Sequence, residues 1–276
     1  MRRLRGLLQK RSARWAERVF VAEGAELLRS ALRAGAEIES VYLAPEGADD
    51  PLTRETCDRA LQAGARLFAL APGVLERVAD TVTPQPVLTI LPMMDARADD
   101  DPVDPVDPLD QPLLVVLVDV RDPGNAGTVL RTADAAGVNT VIFSGESVDP
   151  YNPKTVRASA GSLFHVPFTV QADPVAVAAS LAGRGYRTLA TVVRNGTDYA
   201  ALDWSIPTAL FLGNEAAGLA PEVLDAVGGT VAIPMDGRAE SLNVGVACAV
   251  LCFEALRQRR SPTEVPGTST ISSGED

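Results

Sequence analysis

The sequence predicts an α/β protein of two domains, and three observations carry that prediction. Segments of helical and strand periodicity alternate along nearly the whole chain. Strands such as "LLVVLV" (113–118) are continuously apolar, as in parallel sheets covered on both faces. Between the two alternating halves lies "DARADDDPVDPVDPLDQP" (95–112), where Pro recurs every third residue with Asp crowded between. Such a stretch cannot join a ladder or bury itself, so an extended, self-repelling linker is expected. The predicted organisation is residues 1–94, linker 95–112, residues 113–260 and a tail, 261–276, without apolar periodicity and expected to be disordered.

In the first half a basic helix is expected over about 2–17. "GAELLRSALRAG" has helical spacing and stops at Gly35. "IESVYLA" reads as a strand, and "PLTRETCDRALQAG" as a helix with Pro51 in its first turn and Gly64 at its stop. "RLFAL" is a strand, "PGVLERVAD" a short helix and "PVLTILPM" a strand. In the second half strands are expected at 113–119, 140–144, 188–193, 208–213 and 230–234. Helices fall between them, and a long one covers about 241–259, with Ser241 as its N-cap and with Leu242 and Asn243 in its first turn. Loops at the C-terminal ends of parallel strands should then carry the site.

Composition bounds the function. No run is apolar enough to span a bilayer. The Arg-rich first residues lack an apolar stretch and a small-residue cleavage site, so no secretion signal is expected; a transit peptide is the alternative. Cys57, Cys248 and Cys252 form no disulfide framework, which points to a reducing, cytoplasmic setting. Cys248 and Cys252 share a helical face, but no CxxC exists and the sole histidine, His165, is distant; core packing and no metal are expected. The net charge of −11 argues against a nucleic-acid partner, but its distribution does not. Residues 1–33 hold nine Arg or Lys against three Glu, while 95–110 hold seven Asp and one Arg. A basic N-terminal face therefore remains, to be read either as a solvated surface or as an RNA contact.

Three segments carry candidate chemistry. "LVDVRDPGNAGTVLRTADAAG" (117–137) runs from strand through a Gly-containing loop into a helix. A dinucleotide fingerprint would need G-x-G-x-x-G; here Ala126 and Leu130 stand where the second and third glycines belong, although Glu146 falls where a ribose-binding acid would. No G-K-[ST] follows, which excludes a Walker loop. The loop does offer Asn125, and Arg131 six residues on, suited to a phosphate or ribose hydroxyl; a surface pair with Asp122 or Asp134 is the alternative. "ALFLGNEAAGLAPEVL" (209–224) ends a strand at Gly213 and places Asn214 and Glu215 before small residues that let a ligand approach the backbone. "VAIPMDGRAESLNVGVACAVLCFEALRQRR" (231–260) leads from a strand through Ser241 and Asn243 into a helix rich in small residues.

In this order, these three segments resemble the SpoU branch of the SPOUT RNA methyltransferases. The resemblance covers essentially all of 113–260, and "YNPKTVRASAGSLFHVPF" (151–168) is similar to the family's segment between the first two motifs. "FVAEGAELLRSAL" resembles, more weakly, the family's N-terminal substrate-binding domain, related to a ribosomal-protein RNA-binding fold. The resemblance implies transfer of a methyl group from S-adenosylmethionine to a ribose 2′-hydroxyl, with 23S ribosomal RNA favoured over transfer RNA by the two-domain layout. It implies a C-terminal domain with a deep trefoil knot and a homodimer with its site near the interface. The cofactor pocket by motif position is Leu212, Gly213, Ile233, Met235 and Leu242, with Thr191 a further member.

The implied catalytic positions are Asn125, Arg131, Glu215, Ser241 and Asn243. A guanidinium is a very poor base, its pKa exceeding about 12, so Arg131 is expected to anchor phosphate and stabilise a developing alkoxide. Glu215, Ser241 and Asn243 are expected to orient Arg131 and the cofactor. Lys154, Arg157, Arg2, Arg3 and Arg11 are the expected RNA contacts; Ser159 and His165 could approach RNA, His165 more readily as a structural residue. The acidic linker would screen the basic patches or keep the domains apart. Two other classes remain open here: a non-catalytic RNA-binding protein on the same fold, and an NAD(P) oxidoreductase.

Overall fold

The computed structural model describes residues 1–78, 84–94 and 111–260. The expected linker, except Gln111 and Pro112, and the expected tail lie outside these residues.

The first half contains α1 (Arg2–Gln9), α2 (Arg11–Glu17), β1 (Val19–Glu23), α3 (Ala25–Arg33), β2 (Ser40–Leu43), α4 (Pro51–Gln62), β3 (Arg66–Ala69), α5 (Leu75–Val78) and β4 (Val87–Pro92). The expected single basic helix is two, broken at Lys10, whose backbone is extended (φ −121°, ψ 117°). Leu4, Leu7 and Leu8 of α1 are buried, and turning at Lys10 lets Arg14 of α2 be buried elsewhere. β1 was not expected; its five residues are all buried and show no alternation to mark them. The sheet order is β1-β4-β2-β3, with β4 antiparallel to both neighbours and β2 parallel to the edge strand β3.

The second half contains β5 (Leu113–Val118), α6 (Pro123–Ala136), β6 (Thr140–Ser144), α7 (Pro153–Ala158), β7 (Phe168–Gln171), α8 (Pro174–Gly183), β8 (Arg187–Thr191), β9 (Thr197–Asp198), β10 (Thr208–Leu212), α9 (Pro221–Ala226), β11 (Gly229–Ala232) and α10 (Val244–Arg259). They form a seven-stranded parallel sheet in the order β7-β6-β5-β10-β8-β11-β9. β7 and the two-residue β9 were not anticipated, being short edge elements with little periodicity. β5 shows why its run is continuously apolar: Leu113, Val115 and Leu117 face α6 and α10, while Leu114, Val116 and Val118 face α8 and α9. α6 is set by Asp122, which caps it by accepting from the Asn125 amide at 2.9 Å, by Pro123 at its first position, and by Gly137 in the left-handed region at its end.

The two halves are not held apart. One apolar cluster runs from Phe20, Leu28 and Val41 to Val129, Phe143 and Leu251. Arg14 crosses the boundary to Asp149, with side-chain exposure of 3% for each partner. Its Nε and Nη2 donate to Asp149 Oδ2 at 2.9 and 2.6 Å, and Nη1 donates to the Leu7 carbonyl. Asp149 Oδ1 accepts from Trp15 Nε1 and the Tyr151 amide, and the Tyr151 hydroxyl donates to the Met94 carbonyl. A second bridge joins Arg157 to Glu23 of β1 at 2.8 Å. Every helix described is too short or too polar to cross a membrane.

Candidate active site

The site grows from the C-terminal ends of β8, β10 and β11. β10 ends at Leu212, and at Gly213 the chain folds back so closely that a Cβ would lie 2.4 Å from the Gly218 carbonyl carbon. Asn214 builds this turn: its backbone exchanges hydrogen bonds with Gly218, and its Oδ1 accepts from the amides of Ala216 and Ala217 at 3.0 Å. Its Nδ2 donates to the Asp119 carbonyl at 2.9 Å. Asp119 itself sits at φ 55°, a conformation that its carboxylate supports by accepting from the Glu146 amide at 2.7 Å. That kink after β5 turns the following amides of Arg121 and Asp122 toward Glu215, at 3.5 and 3.3 Å.

Glu215, in the second segment, is thereby tied to the first. Asn125 Nδ2 donates to Glu215 Oε1 at 2.8 Å, and Asn243 Nδ2 donates to Asn125 Oδ1 at 2.8 Å. Asn243 Oδ1 accepts from the amides of Gly245 and Val246 and so caps α10. Ser241 is therefore not the cap: the helix starts at Val244, and Ser241 is an exposed loop residue. Ser and Asn are both good caps, and only the backbone decides which of them stands at the boundary. The chain Asn243, Asn125, Glu215 has one possible polarity. A carboxylate only accepts, so Asn125 must present its amide nitrogen to Glu215 and its oxygen to Asn243.

These groups rim a cavity of about 460 Å³. Its floor is apolar, from Leu212, Ile233, Val244 and Leu251, and its rim polar, from Asn125, Asn214, Glu215, Ser241 and Asn243. A concave apolar site with a few convergent polar groups suits a nucleoside-sized ligand. Leu242 lies at the mouth, 39% exposed. All six expected cofactor positions, Thr191, Leu212, Gly213, Ile233, Met235 and Leu242, line the cavity, as do Asn125, Glu215, Ser241 and Asn243. Val192 and Val193 also line it and were missed; the end of an apolar strand was their only signal.

Arg131 stands apart. It is exposed on α6, outside the cavity wall, and has no hydrogen bond or ion pair among the described residues, to Asp122, Asp134 or the rim. Gly124 and Gly127 of the first loop also lie outside the cavity lining. A Cβ on Gly127 would lie 2.4 Å from Ala158 Cβ and 2.8 Å from the Thr155 carbonyl, so this glycine serves the close crossing of α6 and α7.

The expected RNA contacts divide. Lys154 is exposed at the start of α7. Arg157 is engaged with Glu23. Arg3 is engaged with Glu39 and Glu17, which hold its guanidinium further protonated, and Arg3 in turn holds the Glu39 carboxyl below its ordinary range. Arg11 lies 5.8 Å above the Trp15 ring, and Arg2 lines a surface groove. Ser159 is buried, donating to the Val156 carbonyl, whereas His165 is exposed. Cys248 and Cys252 are buried with sulfurs 3.7 Å apart, and their contact and burial push the Cys248 thiol well up. No cluster able to hold a metal ion occurs among the described residues.

Comparison with known proteins places this geometry. The SpoU rRNA Methylase family model matches residues 112–253, and the MRM3-like substrate binding domain model matches residues 1–89. A 23S rRNA (guanosine(2553)-2′-O)-methyltransferase of Bacillus subtilis (strain 168) is 32% identical over 247 residues, 89% of this chain and 92% of that protein. A 23S rRNA (uridine(2479)-2′-O)-methyltransferase of Streptomyces viridochromogenes is 36% identical over 201 residues, 70% of this chain and 68% of that protein. The crystal structure of an AdoMet-bound rRNA methyltransferase from Sinorhizobium meliloti superposes with a TM-score of 0.80 at 32% identity, covering 94% of this chain and 95% of that one. A SpoU methyltransferase from Streptomyces viridochromogenes in complex with AdoMet does so at 0.80 and 30%, covering 94% and 97%.

Proposed function

Because the chain belongs to the SpoU rRNA methylase family, we propose that it methylates a ribose 2′-hydroxyl of RNA, with 23S ribosomal RNA as substrate and S-adenosylmethionine as methyl donor. The observation that carries the reading is the hydrogen-bonded chain Asn243, Asn125, Glu215, which joins three separate segments at the rim of one cavity.

The cofactor supplies an electrophilic methyl group. Leu212, Ile233 and Leu242 offer apolar contact to it, and Gly213 leaves backbone accessible beside them. The protein's own work is alignment, which in favourable cases supplies about 7–11 kcal/mol of barrier lowering. Asn125 and Glu215 fix the loop that starts α6, and α6 carries Arg131 outward from it. Arg131, free of internal partners among the described residues, is available to hold an RNA phosphate and to stabilise charge on the 2′-oxygen. Ser241 stands on the same rim as a hydroxyl for cofactor or ribose. Lys154 adds a phosphate contact.

Two architectural readings accompany this. Ile233, Met235 and Ser241 to Asn243 line the same cavity as 191–193 and 212–218, so the chain passes the ends of β8 and β10 before entering α10; this supports a knotted crossing. α10 leaves Val246 and Phe253 exposed at 48% and 46%, seven residues apart on one face, which supports a homodimer through α10. The absence of a disulfide framework supports action in the cytoplasm.

The test is transfer of labelled methyl from S-adenosylmethionine to unmodified 23S ribosomal RNA transcripts, with 2′-O-methyl mapping and transfer RNA as comparison. Arg131→Ala should abolish transfer while leaving cofactor affinity within about twofold. Cofactor binding without transfer to either RNA would replace the enzyme by an RNA-binding protein. Tight NAD(H) binding with no binding of S-adenosylmethionine would overturn the reading.

A further inference from the structure

β3 is the edge strand of the N-terminal sheet, and all four of its residues are exposed. Among them Phe68 leaves 41% of its surface in solvent. It stacks on Tyr42 of β2, ring centroids 5.2 Å apart and planes inclined by 22°. Register pairs Tyr42 with Phe68 and Ser40 with Arg66, so Arg66, Phe68 and Tyr42 stand on one face of the sheet. It is the face covered by α1 and α5, because Tyr42 packs against the cluster of Leu4, Leu7, Leu75 and Val78, while Val41 joins the opposite cluster.

On this face a groove of about 580 Å³ runs between α1 and α5, lined by Arg2, Arg5, Lys10 and Arg77 and by no carboxylate. None of these four side chains has a hydrogen bond or ion pair among the described residues. Arg3 and Arg66 meet on Glu39, an ion-paired link that carries the surface from α1 to β3. In a chain of net charge −11, four cations around one groove, without a partner among the described residues, select a polyanion. On the same face the exposed Phe68 ring, backed by the half-buried Tyr42, selects a flat ring. A nucleic-acid strand with unpaired bases offers both at every nucleotide, whereas a duplex hides its base faces.

We propose that this face binds a single-stranded stretch of the RNA substrate, with a base stacked on Phe68 and phosphates held by Arg2, Arg5, Lys10 and Arg77. The proposal rests on the reading of the chain as an RNA methyltransferase.

Fluorescence anisotropy of the full chain, with a labelled oligouridylate of about 12 nucleotides and with a duplex of equal length, tests it. Phe68→Ala should weaken the single strand about tenfold, leave the duplex unchanged, and be rescued by Phe68→Trp. Replacing Arg2 and Arg5 together by Ser should lower the slope of log affinity against log salt by about 1.4. In methyl transfer to 23S ribosomal RNA, Phe68→Ala should raise KM and spare kcat. Unchanged oligouridylate affinity in Phe68→Ala overturns the proposal. So does a fall in sedimentation mass, which would assign Phe68 to contact with a second copy. Methyl transfer with KM unaltered by Phe68→Ala removes the face and keeps the reaction. Phe68-dependent binding without transfer removes the reaction and keeps the face.

Discussion

Glu215→Gln preserves the size of the side chain and removes only its charge, yet three segments depend on that charge. The carboxylate receives Asn125 Nδ2 at 2.8 Å and two longer backbone amides at 3.3 and 3.5 Å. A charge-assisted hydrogen bond is roughly twice as strong as a neutral one, so the short bond alone loses about 1 kcal/mol. The amides, already long, add at most about 1 kcal/mol more. A glutamine can also present its amide nitrogen, which lets Asn125 reverse. Asn243 would then turn its oxygen to Asn125 and abandon the Gly245 and Val246 amides it now caps, at a cost of about 1 kcal/mol. The sum is about 2–3 kcal/mol, or roughly 30- to 150-fold in single-turnover methyl transfer if the ordered loop is the reactive one. Calorimetric cofactor titration should change far less, because the apolar floor is untouched. Asn243→Asp separates the two roles: it keeps the cap and stability to within about 0.5 kcal/mol, and it removes the donor to Asn125, so rate should fall while Tm holds. Wild-type rates in both variants would refute the polarity of this chain as the source of order.

Three further outcomes follow from packing and charge. Asp149→Asn leaves Arg14 buried with no countercharge and should cost about 3–5 kcal/mol, seen as a Tm fall of about 10 °C; a loss under about 1 kcal/mol would mean that water reaches the boundary between the halves. Gly127→Ala adds a methyl 2.8 Å from the Thr155 carbonyl, so urea titration should show a loss of about 1–3 kcal/mol despite alanine's better helix propensity, and a gain would show that α6 and α7 can separate freely. The Glu254 carboxyl is pushed down to about 2 by Arg257 and then Gln258. A depressed folded pKa stabilises above the unfolded value near 4.5 and is lost as pH falls toward 2. Arg257 is 70% exposed, so the effect is below about 1 kcal/mol. Glu254→Gln should flatten the acid limb of stability in that window alone, and an unchanged limb would deny the pair any role.

Much of the fold was legible because its signals are local. β5, β6 and β10 are apolar runs bounded by polar residues, and α4 and α6 carry their capping Asp and leading Pro in the sequence. β1 was not legible: "VFVAE" is buried on both sides by partners far away in sequence, and β9 is a ladder of two residues. The segments of the site were legible as motifs at strand ends. Their bonding was not, because the Asn125–Glu215 contact spans 90 residues and the Asn125–Asn243 contact 118. The glycines of 124–127 looked like a ligand cradle, and only the crossing of α6 and α7 showed Gly127 to be a packing residue.

Periodicity and single-residue chemistry were enough to specify the alternation of elements, the double-sided burial of the central strands, and the residue types that meet at the site. Each of these is written within a few neighbouring positions of the chain. Packing in three dimensions settled the rest: Asn243 rather than Ser241 caps α10, Arg157 and Arg3 are held by Glu23 and Glu39 while Arg2, Arg5, Lys10 and Arg77 stay open, and the two halves share one core. These are matters of which side chains come within about 3 Å of each other, and that distance is fixed by elements remote in the chain.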